Sequence, residues 1–163
     1  MEQKLEDIAT GVTRGRRLMG IDLGTETIGV AISDAMLSIA TPIETIRRTR
    51  FARDAERLAA LVSERDVAAI VYGLPINMDG GEGPRCQSVR EFAREFDKRC
   101  ERPYAFWDER LSTAAVQRML TEEADMSRKR RAEVVDRAAA AYILQGALDA
   151  LAKKRAGGPL PRS

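Results

Sequence analysis

Asp22 closes the apolar run Leu18-Met-Gly-Ile-Asp22, and the tight turn Gly24-Thr25 leads into a second apolar run from Ile28 to Ile32. An ionised carboxylate at the end of an apolar strand is costly to desolvate, so such residues are usually paired or bound to metal. The plainer alternative is a turn acid capping Gly24 and Thr25. Asp108 and Glu109 end another apolar segment, Tyr104-Ala-Phe-Trp107. Strand alternation turns Trp107 and Glu109 to one face and Asp108 to the other. Glu109 is favoured as the site residue, and Asp108 remains a candidate if the strand ends one residue earlier. Asp136 shares a helical stripe with Ala132, Ala139, Ala140, Ile143 and Ala147, a small apolar surface suited to packing on a sheet. The helix dipole would favour an acid near that helix start by about 0.3–1 kcal/mol, but it does not require an apolar stripe.

Carboxylates that converge without counter-charge repel one another, and hard divalent cations relieve that repulsion. Mg²⁺ and Mn²⁺ take oxygen ligands, and a pair of such ions can stabilise the attacking and leaving oxygens of a phosphodiester displacement. The chain has no histidine and only two cysteines, Cys86 and Cys100. His-based triads, His-ligated zinc and Cys-only zinc are therefore excluded. The net charge is only +2, but the arginines are blocked: Arg14, Arg16 and Arg17; Arg47, Arg48, Arg50 and Arg53; and Arg128, Lys129, Arg130 and Arg131, followed by Arg137. Such clusters can neutralise phosphates or form solvated faces. Acids for metal and arginines for phosphate together favour a metal-dependent nuclease.

The elements that must position these residues are legible as changes of period. Strands are expected near 17–23, 27–33 and 38–46, the last with Pro42 at an edge or bulge. Phe51, Ala55, Leu58, Leu61 and Val62 mark a helix face. Val67 to Tyr72 reads as a buried strand, and Gly73 to Gly81 as a loop. Val89, Phe92, Ala93, Phe96 and Cys100 mark a second helix, and Tyr104 to Trp107 a last strand. A short helix is expected near 112–120, an exposed polar loop over 121–131 and a long helix over 132–153. The order βββαβαβα implies an α/β fold with a mixed sheet, a meander on one side and right-handed crossovers on the other. If the strands bearing Asp22 and Glu109 are neighbours, their end acids meet.

The 163 residues suit one domain, with 44% hydrophobic and 32% charged residues. Residues 1–16 are expected to be a flexible extension, 17–152 the folded domain and 153–163 a flexible tail. No apolar run approaches the roughly 20 residues that span a bilayer, and the polar N-terminus does not read as a signal peptide. The two cysteines bracket a helical segment of about 21 Å, too long for a disulfide. A reduced cytoplasmic setting follows.

Four segments carry a resemblance: Met19-Gly-Ile-Asp-Leu-Gly-Thr-Glu-Thr-Ile-Gly-Val-Ala-Ile-Ser-Asp34, Val71-Tyr-Gly-Leu-Pro-Ile-Asn-Met-Asp-Gly-Gly-Glu-Gly83, Trp107-Asp-Glu-Arg-Leu-Ser-Thr113 and Val135-Asp-Arg-Ala-Ala-Ala140. In that order, over about 17–150, they resemble the YqgF family of Holliday-junction-resolvase-like, pre-16S rRNA nucleases. The resemblance implies an RNase H-like fold, a five-stranded mixed sheet flanked by helices. It implies a cytoplasmic nuclease acting in 5′-end maturation of precursor 16S rRNA. An earlier assignment of the family is to Holliday junction resolution, by similarity to the RuvC resolvase. The family's acidic positions fall on Asp22, Glu109 and Asp136, which would be both catalytic and ligands of Mg²⁺ or Mn²⁺. Gly24 and Thr25 would let backbone approach metal or phosphate. Gly73, Asn77 and Arg110 are further substrate contacts, each also explicable as a tight loop or a surface ion pair. The basic run Arg128 to Arg131 is the remaining substrate-binding candidate.

Two other classes stand beside this reading. Asp22-Leu-Gly-Thr25 also opens the actin, Hsp70 and sugar-kinase fold, but that fold encloses its nucleotide between two such halves and this chain has one copy. A non-catalytic nucleic-acid-binding module in transcription or ribosome maturation would use the arginines alone. The expected partner is nucleic acid, precursor rRNA ahead of branched DNA, with no membrane. The chain itself is expected to be a monomer or, for paired cuts in a junction, a homodimer.

Overall fold

The computed structural model describes residues 1–11, 16–112 and 128–155, apart from the side chains of residues 9, 112, 128–137 and 155. Five strands form one mixed sheet: β1 (Arg17–Leu23), β2 (Thr27–Ser33), β3 (Ala40–Arg47), β4 (Val67–Leu74) and β5 (Tyr104–Asp108), in the spatial order β3-β2-β1-β4-β5. β1, β2 and β3 are an antiparallel meander, and β1, β4 and β5 run parallel. The helices are α1 (Leu5–Gly11), α2 (Phe51–Glu64), α3 (Pro84–Asp97) and α4 (Arg128–Arg155), with a 3₁₀ turn at Glu109–Ser112.

The sheet is covered on both faces, so its central strands read as unbroken apolar runs. All eight residues of β4 are buried. On one side, Met19, Ile21, Ile70 and Tyr72 pack with Leu58 and Leu61 of α2 and Phe92 and Phe96 of α3. On the other side, Leu18, Ala31, Ala69, Val71 and Trp107 pack with Ile8 of α1 and with Ala140, Ile143, Leu144 and Ala147 of α4. Small residues such as Gly20, Ala31, Ala69, Ala140 and Ala147 punctuate the second layer and allow α4 to lie close to the strands. A Cβ at Gly20 of β1 would sit 2.7 Å from the Leu144 Cβ and 2.9 Å from the Ala140 carbonyl oxygen. At Gly146 of α4 a Cβ would meet the Trp107 ring at 2.9 Å.

Pro42 occupies the edge strand β3 where the sequence placed it, opposite Ala31 and beside a shift of register between Val30 and Ala31. Cys86 and Cys100 are free thiols. Three expectations are corrected. Residues 1–11 are not a free extension: α1 buries Ile8, and Gln3 N–H donates to the Tyr104 carbonyl at 2.8 Å. The spacing of Leu5 and Ile8 is one turn of an apolar helix face, and the sheet supplies its partner. Gly73 is not in a loop, because β4 runs on to Leu74 and Pro75 ends it. The closing helix starts at Arg128, so Arg128 to Arg131 are helical and not part of a loop. The helix expected near 112–120 and the rest of that loop lie outside the described residues, as do Arg14 and the tail beyond Arg155. No helix among the described residues is long and apolar enough to cross a membrane.

Gly20→Ala should lower stability by about 1–3 kcal/mol, because α4 must lift from β1 to admit a methyl group. Gly11→Ala, where nothing lies within 4 Å, is the control. Thermal melts check this; equal melting temperatures for the two variants would contradict the close approach.

Candidate active site

β1 and β5 are not neighbours, as the meeting of their end acids would most simply require; β4 lies between them. Two strand spacings are about 9.6 Å, so Asp22 and Glu109 must reach towards each other across β4. Asp22 is two residues beyond Gly20 in β1 and shares its face, the one that α4 covers. Glu109 opens the 3₁₀ turn directly after β5. The residue of β4 beneath them is Gly73. A Cβ there would fall 2.7 Å from Glu109 Oε1 and 2.5 Å from Ile143 Cδ1. The Glu109 carboxyl thus lies over bare backbone, held between β4 and α4, and it forms a hydrogen bond with the Asp22 carboxyl. Such a bond needs one shared proton. Burial raises the Glu109 pKa above its ordinary value; the Asp22 hydrogen bond and the positive charge of Arg85 draw it back, and Asp108 pushes it up.

Asp108 takes a different route. Its side chain is on the opposite face and 1% exposed, and Arg110 chelates it, with Nη2 to Oδ2 at 2.6 Å and Nε to both oxygens at 3.0 Å. The Arg110 backbone N–H adds a bond of 2.9 Å to Oδ1, and its Nη1 donates to the Asn77 carbonyl at 3.3 Å. Alternation therefore separates the two acids: Asp108 anchors Arg110 and the loop after β4, and Glu109 faces Asp22. The charge pair raises the Arg110 pKa further.

Asp136 falls on α4, and its side chain lies outside the described residues. The backbone still fixes its level. Gln145 accepts from the Ala40 N–H at 2.8 Å, and Ala40 pairs with Ser33, whose hydroxyl accepts from Leu18 N–H at the start of β1. Ala140 lies over Gly20. The helix thus runs against β1, and Asp136 stands one turn, about 6 Å, nearer the Asp22 end. Among the described residues no group of three or more metal-ligating side chains is assembled.

Gly24 belongs to the turn itself. Its N–H donates to the Thr27 carbonyl at 2.9 Å, and its carbonyl accepts from Arg48 Nη1 at 2.7 Å. Thr25 is exposed on the same turn. Asn77 starts a tight loop, with Asn77 N–H to the Gly81 carbonyl and Gly80 N–H to the Asn77 carbonyl, both 2.9 Å; Gly80 takes φ +90°. Arg47, Arg50 and Arg53 are exposed at the end of β3 and the start of α2. Arg47 pairs with Thr27, just past the turn after Asp22, so this cluster shares the acids' end of the sheet. Arg16 does not: it bonds Asp66 and the Val67 carbonyl at the far end of β1. The side chains of Arg128 to Arg131 lie outside the described residues. The residue that sequence reasoning missed is Arg85, close enough to act on Glu109; its signal was an arginine opening a helix directly after the Asn77–Gly83 loop.

Comparison with known proteins gives this geometry a context. A protein of Rhodospirillum rubrum named "Putative pre-16S rRNA nuclease" is 59% identical over 151 residues, 93% of this chain and 94% of that protein. One of the same name from Roseobacter denitrificans is 59% identical over 152 residues, 92% and 93% of the two chains. Among solved structures, RuvC of Thermus thermophilus in complex with a Holliday junction substrate superposes with a TM-score of 0.54 at 14% identity, covering 90% of this chain and 99% of that one. RuvC of the same organism alone gives 0.51 at 13% identity, with the same coverage. The expected RNase H-like fold is thus the fold of this chain. The family described as "RuvX: Holliday junction resolvase" matches residues 16–150, and the chain belongs to that family.

Proposed function

We propose that this chain is a metal-dependent nuclease that hydrolyses phosphodiester bonds in the 5′-end maturation of precursor 16S rRNA, in the cytoplasm. The observation that carries the reading is the Asp22–Glu109 carboxyl pair, brought together over Gly73 at the carboxyl ends of the parallel strands. Two buried-side acids forced together bind either a proton or a cation. Their donor set is oxygen only, which suits Mg²⁺ or Mn²⁺. Asp22 and Glu109, with Asp136 from α4, would hold the ion. Such an ion, when bound, supplies charge neutralisation at the scissile phosphate and a more acidic water. The protein's own part is positional. Gly73 and Ile143 fix the Glu109 carboxyl, the Gly24 turn clamped by Arg48 fixes the end of β1, and Arg47, Arg50 and Arg53 offer positive charge to a phosphate backbone. The names of the relatives support an RNA substrate. The family description supports a second reading, paired cutting of a four-way DNA junction by a homodimer.

Cleavage of a labelled 5′ fragment of precursor 16S rRNA should require Mg²⁺ or Mn²⁺, stop with EDTA and fall at least about a hundredfold in Asp22→Asn. Paired cuts in a four-way DNA junction, with the RNA intact, would move the function to recombination. Binding of either substrate without cutting would leave a non-catalytic module.

Folding also carries a pH signature. Glu109 holds its proton more tightly in the folded chain than in the unfolded one. Metal-free stability therefore falls as pH rises from the ordinary carboxylate pKa through the raised one. Glu109→Gln removes that cost, so its melting temperature relative to wild type should be higher at pH 7 than at pH 4. A difference independent of pH would show that burial does not penalise the Glu109 charge.

A further inference from the structure

The carboxyl pair is half-exposed at the protein surface. Beside it lies a cavity of about 420 Å³ lined by Pro75, Ile76, Asn77, Gly83, Arg85 and Glu109, with Arg110 and Met78 completing the wall. Its charged groups are unequal. Arg110 is committed to the buried Asp108, and its guanidinium is locked in place. Arg85 forms no hydrogen bond or ion pair with a described residue, is exposed, and is near enough to Glu109 to act on its charge. The floor is equally rigid. The Asn77–Gly81 turn is closed by its own backbone bonds, and Gly81 N–H donates to Asp79 Oδ1 at 2.8 Å.

We infer that this cavity is a binding subsite for a backbone phosphate of the RNA strand, next to the one that is cut, and that Arg85 is the residue that receives it. The inference rests on the nuclease reading for the identity of the strand, but not for the existence of the site. The volume leaves room for a phosphate group together with its sugar. An arginine matches phosphate geometry with two parallel N–H donors. Being unpaired, Arg85 loses no existing ion pair when it binds. It adds a second source of positive charge at the end of the sheet that carries the acids and the Arg47 cluster. Arg85 is thus a positioning residue, separate from the groups that face the scissile bond.

The test is binding, read apart from cleavage. A fluorescein-labelled single-stranded RNA 12-mer would be titrated by anisotropy with the full chain in EDTA at several salt concentrations, alongside the same sequence in DNA. Arg85→Ala should weaken RNA binding roughly five- to tenfold at low salt and reduce the slope of log affinity against log salt by about 0.7, one phosphate contact on a single strand. Arg85→Lys should keep the slope and lose part of the affinity. Lys98→Ala, which removes a charge at the other end of α3, should leave the slope unchanged. An unchanged slope in Arg85→Ala, or a wild type that does not bind the RNA, would overturn the subsite. An equal effect on the DNA strand supports the phosphate contact and shows that it does not choose the sugar. A changed slope in a protein that cuts nothing would support the subsite and remove the nuclease reading.

Discussion

Asp22 and Glu109 repel each other when both are ionised, and the strands that carry them are separated by a third. Holding them within hydrogen-bonding reach requires that the middle strand present no side chain between them, that a helix close over the pair, and that this helix approach the sheet without obstruction. Gly73 meets the first requirement and Gly20 the third, while α4 supplies Ala140, Ile143 and Leu144 at the points of contact. The small-residue layer under α4 and the large aromatic layer under α2 and α3 are thus unequal for a reason. One side stores the bulk of the core, with Tyr72 edge-on to Phe92 and Tyr104 and tilted against Phe106. The other side is thin so that acids can meet.

The alternation of strand faces sorts the acids at the end of β5. One position places Asp108 against Arg110 and the Asn77 loop; the next turns Glu109 towards Asp22. The two neighbours therefore have opposite tasks. Asp108 is satisfied by a fixed cation from the chain and serves as an anchor. Glu109 is left facing another acid, with burial raising its affinity for a proton. The same exchange of a fixed partner for an open demand distinguishes Arg110 from Arg85.

The strands were legible because buried parallel strands are continuous apolar runs with sharp ends, and β1 and β2 fall on the expected residues. Alternation separated Glu109 from Asp108, and the structure turns Glu109 towards Asp22. Gly73 was misread because Gly-Leu-Pro has the composition of a loop, and nothing local reveals that a glycine is required by a side chain 36 positions later. The place of β4 between β1 and β5 was equally invisible, since spatial order depends on crossovers and not on residue type. α1 was missed because a helix of seven residues carries little signal of its own and gains its stability from the sheet. Arg85 was overlooked for the opposite reason: an exposed arginine on a helix is ordinary until the fold sets it beside an acid.

The two margins of the sheet share a property. Along β5, Tyr104 already gives its carbonyl to Gln3 and its N–H to the Met1 carbonyl. Along β3, Pro42 offers no N–H, and the register slips beside it. Each border is therefore interrupted at one described position. A protein with an exposed strand can be copied by its neighbour into a growing ribbon, and a break in the row of donors works against that copying. An incoming strand would meet, at these points, backbone that is already engaged or that lacks a donor.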